Sequence, residues 1–239
     1  MLCRPEVKNA FNQEMIAELT DFFVNEIKAQ HRFVVISAEG KDFSAGADLN
    51  WMQSMAKESK EENYKDSEKL FDLFYSIYAC DIPVVTKVSG YVMGGGNGLV
   101  AASDIVVASP NTKFCFSEVK LGLVPATISP FVMRKINTTA ASELLLTAKM
   151  FGAEEALAAG LIAHIDDNDS AYFNKVISRL GKAGPEALKE TKKLIKLQSA
   201  DPLDYKKTTS ASIASARVSE EGQKGLAAFF GKSQPDWVL

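Results

Sequence analysis

The sequence predicts an α/β chain with a helical C-terminal section, on three observations. Short β-branched runs recur at Phe33 to Ser37, Pro83 to Val88 and Asp104 to Ala108; segments of helical periodicity, such as Leu70, Phe74, Ile77 and Tyr78, separate them; and from about Thr127 onward the pattern is almost wholly helical. Strands alternating with helices point to parallel βα units, because a parallel pair needs a long crossover.

In chain order, Asn12 is placed to cap a helix through about Ala29, with Met15, Leu19, Phe22, Phe23 and Ile27 on one face. Lys113 to Phe116 reads as a further strand. In the second half Pro130 and Pro185 occupy first-turn positions, Leu144, Leu145 and Ala148 form an apolar stripe, and only Leu161 to Ile165 has strand character. The stretch Gly181 to Pro185 interrupts two amphipathic patterns, which divides the chain into a core section, residues 1–182, and a helical section, residues 183–239. Within the latter, Thr208 to Ser215 is poor in large residues and needs a surface to lie on.

With 239 residues, 46% apolar and 24% charged, the composition is that of a globular chain. Lys and Arg number 27 against 30 Asp and Glu, a net −3, so no broad basic field of the kind nucleic acid needs is present. No apolar run reaches the ~18 residues of a membrane span and no signal-peptide pattern opens the chain, which predicts a cytoplasmic protein without a membrane partner. Cys3, Cys80 and Cys115 are scattered singletons, expected to be buried reduced thiols, and His31 and His164 stand apart in apolar or linking segments, so neither a metal site nor a histidine-based triad is expected.

Two loops carry the chemistry. Phe43-Ser44-Ala45-Gly46-Ala47-Asp48-Leu49 and Ser89-Gly90-Tyr91-Val92-Met93-Gly94-Gly95-Gly96-Asn97-Gly98 each follow a strand and precede a helix start. Backbone N–H groups at such a place are unpaired, and two of them aimed at one oxygen stabilise an enolate or a tetrahedral anion. With no nucleophile and histidine pair in the sequence, an enolate is favoured, and Glu118 is the candidate carboxylate to move the proton. A dinucleotide fingerprint at Gly96-x-Gly98-x-x-Ala101 is the rival. It fails because Leu99 to Ser103 is too short for a crossover helix before Asp104.

Arg4-Pro5 with Asn9-Ala10-Phe11, Phe43 to Leu49, Gly90 to Gly96, Asp104, Phe116 to Pro125 and Ala228-Phe229-Phe230-Gly231-Lys232, taken in that order, resemble the enoyl-CoA hydratase/isomerase, or crotonase, family over nearly the whole chain. The resemblance implies a crotonase-like spiral of ββα units, a C-terminal helical part that packs on neighbouring subunits, and a homo-oligomer, a trimer or dimer of trimers. It implies an acyl-CoA thioester substrate, with coenzyme A part of that substrate and no separate cofactor. Position by position, Ala47 and Gly95 match the thioester-oxygen donors and Glu118 the catalytic carboxylate. Lys8, Ala10, Ala45, Asp48, Leu49, Gly94, Gly98 and Pro125 fall at substrate-contacting positions, and Phe229 and Lys232 match a CoA contact from the C-terminal helix.

Two departures stand out. The usual hydratase has a second glutamate where this chain has Gly98, and the chain opens at the Arg-Pro motif without the family's first strands. A single glutamate suits the shift of a proton between Cα and Cγ, which is 3-enoyl to 2-enoyl isomerisation. Against that, Ser44 to Met52 and Cys115 to Val132 resemble methylglutaconyl-CoA hydratase-like proteins, which implies hydration of a short, branched 2-enoyl-CoA. A second substrate carboxylate would pair with Lys120, Arg134 or Lys135, and Trp51, Met52, Phe71 and Phe131 are candidates for the acyl-pocket wall. An acyl-carrier-protein thioester is a further possible substrate. An RNA-binding role, associated with one such relative, is opposed by the net charge.

Overall fold

The computed structural model describes residues 1–28, 30–166, 170–196, 215 and 219–238. Its strands are β1 (Val34–Ile36), β2 (Val84–Val88), β3 (Tyr91–Met93), β4 (Ile105–Ala108), β5 (Lys113–Cys115), β6 (Phe151–Gly152) and β7 (His164–Ile165). The helices are α1 (Gln13–Asp21), α2 (Leu49–Met55), α3 (Lys60–Ala79), α4 (Gly96–Ala102), α5 (Ser129–Lys135), α6 (Thr138–Thr147), α7 (Ala153–Ala159), α8 (Ala171–Lys182), α9 (Pro185–Lys196) and α10 (Glu220–Phe230).

Two compact units divide the chain. The first comprises Met1–Lys28, Val34–Cys80 and Val84–Phe173; the second comprises Ala29–Phe33, Asp81–Pro83 and Asn174–Leu239. In the first, β1, β2, β4 and β7 form a parallel sheet in that order, while β3, β5 and β6 form a second sheet. Successive passes of the chain add one strand to each sheet: β2 pairs with β1 while β3 bridges to Ser44, then β4 pairs with β2 while β5 pairs with β3. With α4 closing the second pass, this is the spiral of ββα turns that the sequence motifs imply. Phe11, Phe43, Phe74, Phe114 and Phe116 are among its fully buried side chains, each worth about 1.5–3 kcal/mol of transfer free energy.

Several boundaries differ from the sequence reading. Asn12 does cap α1, its side chain accepting from Met15 N at 3.0 Å, but the helix loosens into a π turn at Phe22–Glu26 and is extended by Ile27. Met15 and Ile16 are buried and Leu19 partly exposed in the regular part of the helix, while the slip in hydrogen-bond register beyond it buries Phe23 and leaves Phe22 and Ile27 partly exposed. The strand expected over Leu161 to Ile165 is confined to its end, because the N–H groups of Leu161 and Ile162 still bond to Ala156 of α7. Two strands were illegible: β3 lies inside the Gly-rich loop, and β6, antiparallel to β5, interrupts the second half. Ala148 does not extend a helix; it ends α6 in the left-handed conformation at φ 48°. Cys80 and Cys115 are buried, but Cys3 is exposed.

In the second unit the main segment begins at Asn174, and the Gly181 to Pro185 interruption separates α8 from α9. The Glu221 carboxylate accepts from the N–H groups of Glu186 and Ala187 at 2.8 Å, capping α9 behind Pro185. Arg32 donates to the carbonyls of Trp237, at 2.7 Å, and of Gly181 and Ala183. Apart from Ser215, the Thr208 to Ser215 stretch lies outside the described residues. Among the described residues no helix is long and apolar enough to cross a membrane.

Candidate active site

Nearly every main-chain N–H of the first loop is used by the fold. Phe43 donates to Ser89 O, Ser44 to Tyr91 O, Ala45 to Lys8 O and Asp48 to Phe11 O, at 2.8–3.0 Å, while Gly46 donates to Ser44 Oγ at 3.2 Å. Ala47 and Leu49 are the exceptions: among the described residues neither N–H meets an acceptor, and Leu49 is the exposed first residue of α2. In the second loop Met93 donates to Ser44 O and Gly94 to Cys115 O, whereas Gly95 and Gly96 meet no acceptor among the described residues. Gly96 is buried against Ser44 and Gly95 is partly open, so Gly95 holds the accessible donor.

The two loops meet just before Ala47 and Gly95. They pair in parallel through Ser44 and Val92, and a Cβ at Gly46 would lie 3.8 Å from Gly94 Cα, so each of the two residues follows a glycine at the point where the loops touch. The close approach requires glycine on both sides. Gly46 has φ +89° and a Cβ there would lie 3.1 Å from Met93 O; Gly94 has φ +45°.

Glu118 comes to the same place at the start of a 3-10 turn, Glu118–Leu121, just beyond β5. Its Oε1 lies 3.4 Å from where a Gly94 Cβ would be, so the carboxyl abuts the residue next to the Gly95 donor. Its Oε2 is buried and meets no partner among the described residues. Burial pushes the carboxyl above the ordinary 4.5, offset in part by its own backbone N–H. The chemistry open to this cluster is an acid/base group with raised proton affinity beside two donors for a developing anion.

Asn97, unremarked in the sequence, secures this spacing. Its Nδ2 lies 2.9 Å from Cys115 O, 3.2 Å from Val92 O and 3.3 Å from Gly94 O, tying β3, the glycine turn and the strand that leads to Glu118. Its Oδ1 has no partner among the described residues, a cost tolerated for the three contacts of the nitrogen. Asn97→Ala is expected to cost about 1–3 kcal/mol, read as a lower denaturation midpoint, because buried carbonyls lose their donor.

Gly98 is where the family's second glutamate would stand, and the space is filled. A Cβ there would lie 2.4 Å from Phe74 Cζ and 2.8 Å from Ile128 Cγ2, and both side chains are buried. Phe74 and Ile128 at Gly98, and Ser44 at Gly96, leave no room at these glycines for a dinucleotide pyrophosphate.

The remaining candidates separate into groups. Lys8, Ala10, Ala45, Ala47, Asp48 and Leu49 all line one cleft of about 480 Å³. Within it, the Asp48 carboxylate caps α2 at Asn50 N, 2.9 Å, and pairs with Arg4 at 3.1 Å; mainly the Asn50 N–H, then Arg4, holds it below the ordinary 3.8. Pro125 is half-buried beyond the Glu118 turn. Phe229 and Lys232 belong to the second unit; the Phe229 side chain lies outside the described residues, and Lys232 is exposed just past α10. Of the proposed carboxylate partners, Arg134 stacks on Tyr78 at 4.9 Å and Lys135 donates to Val100 O at 3.1 Å, while Lys120 is exposed. Phe71 and Phe131 pack at 5.6 Å, and Trp51 reaches Asp66 through Nε1 at 3.3 Å. His164 stacks on Tyr172, in keeping with a structural role.

Fold and cluster together define a class: a ββα spiral in which unpaired main-chain donors on two touching loops stand with a half-buried carboxyl set against one of them. The chain belongs to the enoyl-CoA hydratase/isomerase family, whose sequence profile matches residues 1–238. It is 34% identical over 237 residues to a Thermus thermophilus protein whose name places it among the enoyl-CoA hydratases, covering 97% of this chain and 93% of that one. It is 28% identical to the 2,3-dehydroadipyl-CoA hydratase of Escherichia coli, across 99% of this chain and 92% of the relative. The crystal structure of an enoyl-CoA hydratase from Shewanella pealeana superposes with a TM-score of 0.92 at 39% identity, over 98% of this chain and 89% of that one. The fold is thus the crotonase fold.

Proposed function

We propose that this protein hydrates a short, branched 2-enoyl-CoA of the methylglutaconyl type. The observation that carries the reading is the Glu118 carboxyl set against Gly94, beside the unpaired N–H groups of Ala47 and Gly95. In this reading the two amides bind the thioester oxygen; Glu118 takes a proton from water as the water oxygen bonds to Cβ, the Cα–Cβ π electrons move onto the thioester oxygen as an enolate, and Glu118 then returns that proton to Cα as the enolate collapses. The adenine nucleotide and pantetheine occupy the cleft lined by Lys8, Ala10, Ala45, Asp48 and Leu49. A second carboxylate on the substrate would pair with Lys120 or Arg134, both of which are exposed, or with Lys135. Exposed Leu121, Leu123, Val124 and Leu146 support packing against another subunit, since apolar side chains so placed gain by burial, and the trimer or dimer of trimers follows from the family resemblance.

A second reading, 3-enoyl to 2-enoyl isomerisation, is favoured by one observation: Phe74 and Ile128 occupy the space of a second carboxylate at Gly98. A panel of straight and branched 2-enoyl- and 3-enoyl-CoA thioesters, followed by product mass, decides between the two. Hydration adds the mass of water to the 2-enoyl substrates; isomerisation leaves mass unchanged. Water addition to none of them overturns the hydratase reading.

A further inference from the structure

We infer that Phe11 is a positioning residue that sets the separation of the Ala47 and Gly95 amides. The inference rests on the two-donor reading above and adds how the pair is held. Phe11 is the residue that touches both loops at the donors themselves. Its backbone brackets Ala47, the Phe11 N–H donating to Gly46 O at 2.7 Å and the Phe11 carbonyl accepting from Asp48 N at 2.8 Å. Its ring backs Gly95, with Cε2 and Cδ2 at 3.1 and 3.2 Å from where a Gly95 Cβ would be.

The ring has little freedom to move. Phe11 is 1% exposed and packs on Phe74 at a centroid distance of 6.5 Å, and Phe74 in turn packs on Phe131. The peptide around Ala47 therefore moves with the Phe11 main chain, and Gly95 is kept from sinking inward by the same residue's ring. An oxyanion site acts through donors fixed before charge develops, so a shift of a few tenths of an ångström at this contact acts on the anionic state more than on ground-state binding.

Phe11→Leu tests the ring while leaving the main-chain bridge in place. Its effect is read with butyryl-CoA, a saturated thioester that cannot react, carrying an isotope label in the thioester carbonyl. In the parent protein the bound carbonyl stretch falls in frequency as both amides donate. In Phe11→Leu that fall shrinks by about half and kcat with the best enoyl-CoA drops about ten- to a hundredfold, while the affinity for butyryl-CoA changes by less than about threefold. A purely structural defect would lower the folded fraction without altering the carbonyl frequency of the complexes that form.

Should the leucine variant not fold, Gly95→Ala stresses the contact from the other side, its methyl group meeting the ring at 3.1 Å. Normal frequency and turnover in Gly95→Ala, or in a folded Phe11→Leu, overturn the inference while leaving the two-donor reading intact. A carbonyl stretch that does not fall when butyryl-CoA binds the parent protein removes the two-donor reading itself, whatever Phe11 does.

Discussion

Glu118→Gln lowers turnover of the enoyl-CoA substrate by about a hundred- to ten-thousandfold, the range a positioned acid/base group supplies. The amide fills nearly the same volume against Gly94, so KM for the thioester moves little and the loss falls on kcat. The same variant has a stability signature with a definite sign. Burial raises the Glu118 carboxyl above the ordinary 4.5, so above pH 4.5 the folded protein holds this proton more firmly than the unfolded chain does. Stability from this group is present below pH 4.5 and falls as pH rises through the raised value. Removing the ionisable group removes that fall: the variant's thermal midpoint, compared with the parent's, gains toward neutral pH and loses the gain on acidification. A midpoint difference independent of pH would show that Glu118 does not titrate in this raised range.

Gly98→Glu, which writes the missing second glutamate back into the motif, is expected to destabilise the protein and to bring no gain in hydration. The new Cβ would sit 2.4 Å from the Phe74 ring and 2.8 Å from Ile128, and both neighbours are locked in the core. Overpacking of this kind costs about 1–3 kcal/mol, and a carboxylate forced in beside aromatic rings adds to it. Denaturation midpoint and turnover measured together decide the matter. An unchanged midpoint with faster hydration would mean that Phe74 yields and that the glycine alone limits the site.

The two loops illustrate what could be read early and what could not. The Phe43 to Leu49 and Gly90 to Gly98 stretches stand out because small residues and glycine, placed before helix starts, have few other uses in a chain of this composition. Which amides remain unpaired was not legible locally. That depends on the parallel bridge of Ser44 to Val92, two residues 48 apart in sequence, and on acceptors contributed by Lys8, Phe11 and Cys115. Strand β3 escaped notice for the same reason: three residues between glycines become a strand only when Lys113 to Cys115 arrive beside them. At Gly98 the sequence showed that a carboxylate was missing, but not that Phe74, twenty-four residues upstream (98 − 74), fills the place.

By itself, then, the sequence determined the α/β order of elements, the family resemblance and the candidate donors and acid, because periodicity, capping residues and glycine act over a few neighbours and are written locally. Tertiary structure alone decided which amides of the two loops stay unpaired where the loops touch, that burial raises the Glu118 carboxyl, and that Phe74 and Ile128 fill the space at Gly98. Each of these depends on distance and dielectric between residues far apart in the chain, quantities that exist only after the strands have paired and the core has closed.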